Sequence, residues 1–96
     1  MVIVLTHFIA KDADSAKDLE IIFRRLIQET PLEQGFIAYE ILTDNKRPNS
    51  YYIFEKWNSQ EDLDRHAQAV DEKGYVAKAA SLLFGKLENI ILQTLN

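Results

Sequence analysis

The chain has no cysteine. That excludes disulfides, thiolate-held zinc, iron–sulfur clusters and thiol catalysis. Glycine and proline are scarce, three and two in 96 residues. Gly35, Gly74 and Gly85 stand too far apart for a phosphate-cradling loop. Basic charge is also short. Eleven Lys and Arg face fifteen Asp and Glu, for a net charge of −4, which argues against a nucleic-acid partner. No apolar run approaches the roughly 18 residues of a membrane span. The apolar start, Met1 to Leu5, is too short for a signal-peptide core and has no basic leader. A soluble, cytoplasmic protein without a membrane partner is therefore expected. There is no low-complexity segment, no fixed repeat and no linker.

What is present is an ordinary globular composition, 47% apolar and 27% charged. The length suits a single domain over residues 1–96. Val2 to Ile9 is rich in β-branched residues and reads as a buried strand. Ser15 and Asp18 suggest a capping box. Ala16, Leu19, Ile22, Phe23, Leu26 and Ile27 then recur at helical spacing, and Thr30-Pro31 ends that helix. Gly35 opens a second strand, Phe36 to Leu42, and a polar turn over residues 44–50 leads to a third, Tyr51 to Trp57. Ser59 and Asp62 start a second helix with Leu63, Ala67 and Val70 on its apolar face. Gly74 marks a break before a further helix, Tyr75 to Phe84, with Val76, Ala79, Ala80 and Leu83 inward. Leu87 to Leu95 closes the chain as a fourth strand.

The order β-α-β-β-α-β is the ferredoxin-like split βαβ plan, an α+β fold with a four-stranded antiparallel sheet and helices on one face. The strands are apolar on both faces. Ile3, Leu5 and Ile9 oppose Val2, Val4 and Phe8, and Ile37, Tyr39 and Ile41 oppose Phe36, Ala38 and Leu42. One face belongs to the helices, so the other needs a cover. A second copy is the simplest, giving a homodimer with two sheets face to face.

The stretch from Tyr52 to His66 is a hydrophobic strand ending in Glu55-Lys56-Trp57, an acidic helix start at Glu61-Asp62, and His66 nine residues after Trp57. It resembles the signature of the antibiotic biosynthesis monooxygenase (ABM) family. The opening strand, the Gly35-Phe36 start and the closing strand also fit, so the resemblance covers nearly the whole chain. It implies a dimeric α/β barrel. The family includes cofactor-independent quinol monooxygenases, haem-degrading enzymes, a phosphosugar isomerase and members of unknown activity. The haem-degrading branch places Asn, Trp and His where this chain has His7, His66 and Val76. The polyketide-oxidising branch keeps only Trp57 here, with Ile53 and Leu63 at its other positions. The quinol monooxygenase branch is nearest, through Glu55, Trp57 and His66.

The resemblance puts Glu55 and Trp57 on a cleft face under the helices, with His7 on the same side and His66 above. His66 is the favoured base: a neutral imidazole takes a proton from a quinol hydroxyl near neutral pH. The alternative is a hydrogen bond from His66 to Glu55 or a strand carbonyl that only ties helix to sheet. Glu55 is too costly to bury unpaired, and either orients His66 or makes a structural bridge. Trp57 either stacks on a flat substrate or is core. His7 is a second acid–base group or a satisfied interior histidine. Ile53 and Tyr75 complete the expected substrate contacts, although nothing selects Tyr75 over Tyr39, Tyr51 or Tyr52. Two His and a carboxylate suit a non-haem iron triad, but no ligand-spacing motif accompanies them, and no metal or cofactor is expected. The expected activity is cofactor-independent oxidation of an aromatic quinol or polycyclic phenol by O₂. An isomerase or a non-catalytic small-ligand module on the same scaffold stays open.

Overall fold

The computed structural model describes residues 1–95. Its elements are β1 (Val2–Ile9), α1 (Ala13–Glu29), a 3₁₀ turn (Thr30–Leu32), β2 (Phe36–Thr43), β3 (Ser50–Trp57), α2 (Gln60–Glu72), α3 (Tyr75–Leu82) and β4 (Glu88–Leu92). The sheet is antiparallel, in the order β2-β3-β1-β4. This is the expected α+β, ferredoxin-like plan. None of the described helices is long and apolar enough to cross a membrane.

Local chemistry explains most boundaries. The cap of α1 is Asp12, not Ser15: its carboxylate accepts the Ser15 backbone N–H at 2.7 Å, so the helix starts at Ala13. Asp is as good a cap as Ser. Ser59 caps α2 as expected, accepting from the Asp62 N–H. Gly74 has φ +81 and separates α2 from α3. The third helix ends at Leu82, sooner than its pattern suggests, because Leu83 bridges to Ala10 and the Phe84 N–H bonds the Ile9 carbonyl. Val76 and Ala80 are exposed rather than core, and Ile27 on α1 is exposed as well. The closing strand is shorter than expected, five residues.

The main core lies between α1, α3 and one sheet face. Leu19, Phe23 and Leu26 meet Phe8, Tyr51 and Ile53, and Phe23 packs edge-on against Phe8 and Tyr51. Register decides which residues share that face. Glu55 pairs with Val4 and Tyr39, while Thr6 pairs with Ile53 and Asn89. A bulge at Ile37 shifts the register between Phe36 and Ala38. One extra residue flips the alternation, so Phe36 joins Trp57 and Tyr39 on the helix side, a correction to the simple pattern.

Across the open face, Leu5 is flanked by Phe54 and Ile90, and His7 by Tyr52 and Glu88. Ile9, Leu42, Ile90 and Leu92 are each between 39% and 47% exposed.

Candidate active site

Helix α2 does not close onto the sheet along its whole length. Its buried side chains are Asp62 and His66, one turn apart near its start. Beyond them it stands over a cavity of about 330 Å³, floored by Val4, Thr6, Ile53 and Glu55 and roofed by Leu63 and His66. The walls are mainly apolar. That volume is at the lower end for a small-molecule site.

The 3₁₀ turn with Pro31 carries the chain from α1 to the start of β2 and sets Glu33 beside α2. Three backbone bonds fix this corner: Glu33 N–H to the Thr30 carbonyl, Phe36 N–H to the Glu33 carbonyl and Asn58 N–H to the Gly35 carbonyl. Gly35 has φ +82, and a Cβ there would overlap the Asp62 carboxyl. Asp62 is in turn held by Ser59 and Arg65, both at 2.8 Å.

The result is a buried chain of polar groups. His66 Nδ1 lies 2.9 Å and 3.0 Å from the two carboxylate oxygens of Glu33. A carboxylate accepts, so Nδ1 carries a proton and donates it to Glu33. Nε2 is 3.9 Å from Glu55 Oε1, beyond hydrogen-bond range. The same Glu55 oxygen accepts the Trp57 indole N–H at 2.8 Å. Trp57 lies under the imidazole, ring centroids 4.6 Å apart, and Tyr39 packs edge-on to it at 5.6 Å. Burial raises the Glu55 carboxyl above its ordinary value; the Trp57 N–H and His66 oppose the rise and Glu33 adds to it. Burial also pushes the Tyr39 phenol up, reinforced by Glu55 and Glu33. Tyr39 therefore stays a neutral hydroxyl on the cavity wall at any working pH. The arrangement sets an imidazole oriented by Glu33 against an apolar chamber.

Residues 1–78 match the sequence profile of the antibiotic biosynthesis monooxygenase family. The chain belongs to the ABM family. It is 24% identical over 86 residues to the Bacillus subtilis protein named "Putative monooxygenase YcnE", covering 90% of each chain. Among solved structures, it superposes on SnoaB, a cofactor-independent oxygenase from Streptomyces nogalater, with a TM-score of 0.82. Identity is 17%, over 99% of this chain and 93% of that one. A conserved protein from Methanosarcina mazei Go1 gives a TM-score of 0.87 at 21% identity, over 96% and 90%. These structural likenesses establish the shared fold.

Within that ABM fold, the residues singled out in the sequence divide. His66, Glu55 and Ile53 meet at the cavity. His7 does not. It pairs with Tyr52 in the register, which sets it on the open face, stacked on Tyr52 with centroids 4.5 Å apart and bonded to Ser50 Oγ at 2.7 Å. The antiparallel pairing puts even residues of β1 opposite odd residues of β3, so the side of His7 is the reverse of that expected. The sheet thereby separates it from His66, and the iron triad is not assembled. Trp57 is fully buried, against Phe36 and His66, and offers no face for a substrate to stack on. Tyr75 bonds Glu29 at 3.1 Å, beside the Lys73–Glu29 ion pair, and does not line the His66 cavity.

Glu33, Tyr39, Thr6 and Asn89 were not selected by sequence reasoning. Glu33 stands in a turn without any motif. Tyr39 had a weak signal, its placement on the β2 face that carries Ile41. Thr6 and Asn89 become neighbours only through the β1–β4 pairing.

Proposed function

We propose that this ABM protein is a cofactor-independent monooxygenase that oxidises an aromatic quinol or related polycyclic phenol with O₂. The supporting observation is His66 at the roof of an apolar cavity, its Nδ1 held by Glu33 and its Nε2 free of hydrogen bonds among the described residues. SnoaB, with the same fold, is a cofactor-independent oxygenase.

In this reading, His66 Nε2 takes the hydroxyl proton, and Glu33 stabilises the imidazolium that forms. The substrate anion passes one electron to O₂. The two radicals combine in a carbon–oxygen bond, giving a peroxide anion that takes its proton back from His66. The O–O bond of this hydroperoxide then breaks as the same ring carbon loses its C–H proton: one oxygen stays as a carbonyl, and the other leaves as hydroxide and takes up that proton to become water. A quinol plus O₂ thus gives a hydroxyquinone plus water. The substrate supplies every electron, so no external reductant is consumed. Apolar walls keep water from the radical pair. Neutral Tyr39 is placed to donate to a substrate oxygen.

The test is oxygen uptake over a panel of reduced naphthoquinols and anthrones, with autoxidation subtracted, and ¹⁸O₂ labelling of the product. Catalytic uptake with one labelled oxygen in the product is expected. Turnover of a substrate without O₂ would replace this reading with proton-transfer chemistry. Saturable binding without any product would replace it with ligand sequestration.

A homodimer belongs to the same proposal. The partly exposed Ile9, Leu42, Ile90 and Leu92 share the face the helices leave open. A second copy of that face would cover them.

A further inference from the structure

The cavity has a second polar spot, far from His66. Thr6 is buried, and its hydroxyl donates to Asn89 Oδ1 at 2.8 Å. Both side chains line the same cavity as His66 and Glu55. The bond occupies the amide oxygen and fixes which end of the amide is presented. The Asn89 Nδ2 group has no partner among the described residues. The surrounding wall, Val4, Ile53, Val76 and Ile91, offers it none. A polar pair on an apolar wall is poorly explained by packing, since an aliphatic pair would fill the same place without burying a hydroxyl.

The register gives the separation of the two polar ends. Glu55 is on β3 and pairs with Val4; Thr6, two residues further along β1, pairs with Asn89 on β4. Asn89 is thus two strands across and two residues along from Glu55. With strands about 4.8 Å apart and a rise of about 3.4 Å per residue, the backbone distance is roughly 12 Å. His66 stands above the Glu55 end, on the side away from β4 and close to Trp57 and Tyr39. A ligand that reaches both His66 and Asn89 therefore carries its two oxygens well apart, across a ring system rather than on neighbouring atoms.

We infer that Asn89, positioned by Thr6, is a specificity-determining anchor for a second oxygen on the substrate. The ligand class is an aromatic with oxygens across a ring or across a fused ring pair, one at His66 and one at Asn89. Oxygens on adjacent carbons are too close to reach both ends. A single phenol engages only one. This rests on the oxygenase reading for which hydroxyl loses its proton, but the anchor itself is a binding property and is measured without turnover.

The experiment is anaerobic titration calorimetry of the full chain with three naphthalenes: 1,5-dihydroxynaphthalene, 2,3-dihydroxynaphthalene and 1-naphthol. The 1,5-diol should bind about three- to ten-fold tighter than 1-naphthol, the gain of one neutral hydrogen bond. The 2,3-diol should show no such gain. Asn89→Leu, on an exposed position of an edge strand, should reduce the preference for the 1,5-diol over 1-naphthol to about one. Thr6→Val should reduce the preference partly, with circular dichroism confirming the fold. Equal binding of all three ligands, no binding of any, or a preference that survives Asn89→Leu overturns the anchor. Oxygen uptake on the quinol panel separates the two failures. Uptake with no 1,5-diol preference removes the anchor alone, and an Asn89-dependent preference without uptake removes the oxygenase reading alone.

Discussion

His66 Nδ1 lies 2.9 Å from a carboxylate oxygen of Glu33, whereas its Nε2 stays 3.9 Å from Glu55. The carboxylate that fixes the imidazole therefore comes from the turn after α1, and the strand carboxylate is engaged by Trp57 instead. This division of labour leaves Nε2 on the Glu55 side of the chamber without a hydrogen-bond partner among the described residues.

On the proposed oxygenase reading, His66→Ala should lower kcat by about a hundred-fold or more, the ordinary contribution of a positioned base. Glu33→Gln keeps an oxygen for the Nδ1–H but removes the charge. It should lower kcat by about ten-fold or more with KM unchanged, because the carboxylate acts on the imidazolium formed during proton transfer and not on substrate binding. Steady-state kinetics of both variants check this. Equal loss in KM and kcat for Glu33→Gln would mean that the pair only shapes the cavity.

Glu55 carries a stability signature. Burial raises its folded pKa above the ordinary 4.5. Between 4.5 and that raised value the folded chain holds a proton that the unfolded chain has released. Stability contributed by this site therefore falls as pH rises through the window. Glu55→Gln retains an acceptor for the Trp57 N–H and has no charge to bury. It should unfold at a higher temperature than the parent at pH 7, with the gap closing as pH falls to 4.5. Calorimetry at the two pH values checks the direction. A lower Tm for the variant at pH 7 would show that attraction to His66 outweighs burial.

Gly35 is needed on two grounds, its left-handed φ of +82 and its contact with the Asp62 carboxyl. Gly35→Ala should cost about 1–2 kcal/mol for the backbone alone, and more through displacement of Asp62 from Ser59 and Arg65. Urea unfolding measures it. Gly74→Ala, with a similar φ but open space around it, should show only the backbone part.

Light scattering at micromolar concentration should give about twice the 11.1 kDa chain mass. Ile90→Glu, at a 43% exposed position on the open face, should reduce it to one chain with helix content intact. A parent protein that already scatters as a single chain would leave the open face uncovered and remove the dimer.

The fold could be read from the chain because it depends on local signals. Continuous apolar strand runs, helical spacing after Ser15 and Ser59, and glycine at Gly35 and Gly74 each act over a few residues. The local reading missed the Asp12 cap, where Asp and Ser are both able caps, and the early end of α3, which contacts of Leu83 and Phe84 with Ala10 and Ile9 decide. The bulge at Ile37 had no local mark, so the side of Phe36 was misjudged.

The site was half legible. Glu55, Ile53 and His66 line one cavity, as strand parity and a helix position relative to their own elements imply. His7 was misplaced because its side depends on the pairing between β1 and β3, a contact of nearly fifty residues' separation in which one step of register reverses every side chain. Glu33, Thr6 and Asn89 are ordinary polar residues in sequence. They gain meaning from what lies across from them.

The sequence by itself determined the elements, their order, the excess of apolar strand surface and the presence of a histidine and a glutamate where helix and strand meet. Only the tertiary structure decided which carboxylate holds that histidine, which sheet face each side chain joins, and that the cavity has a polar group at each end. The reason is physical. Secondary structure follows from short-range backbone and side-chain preferences, whereas a site is set by strand register and by turns that bring distant residues within hydrogen-bond range.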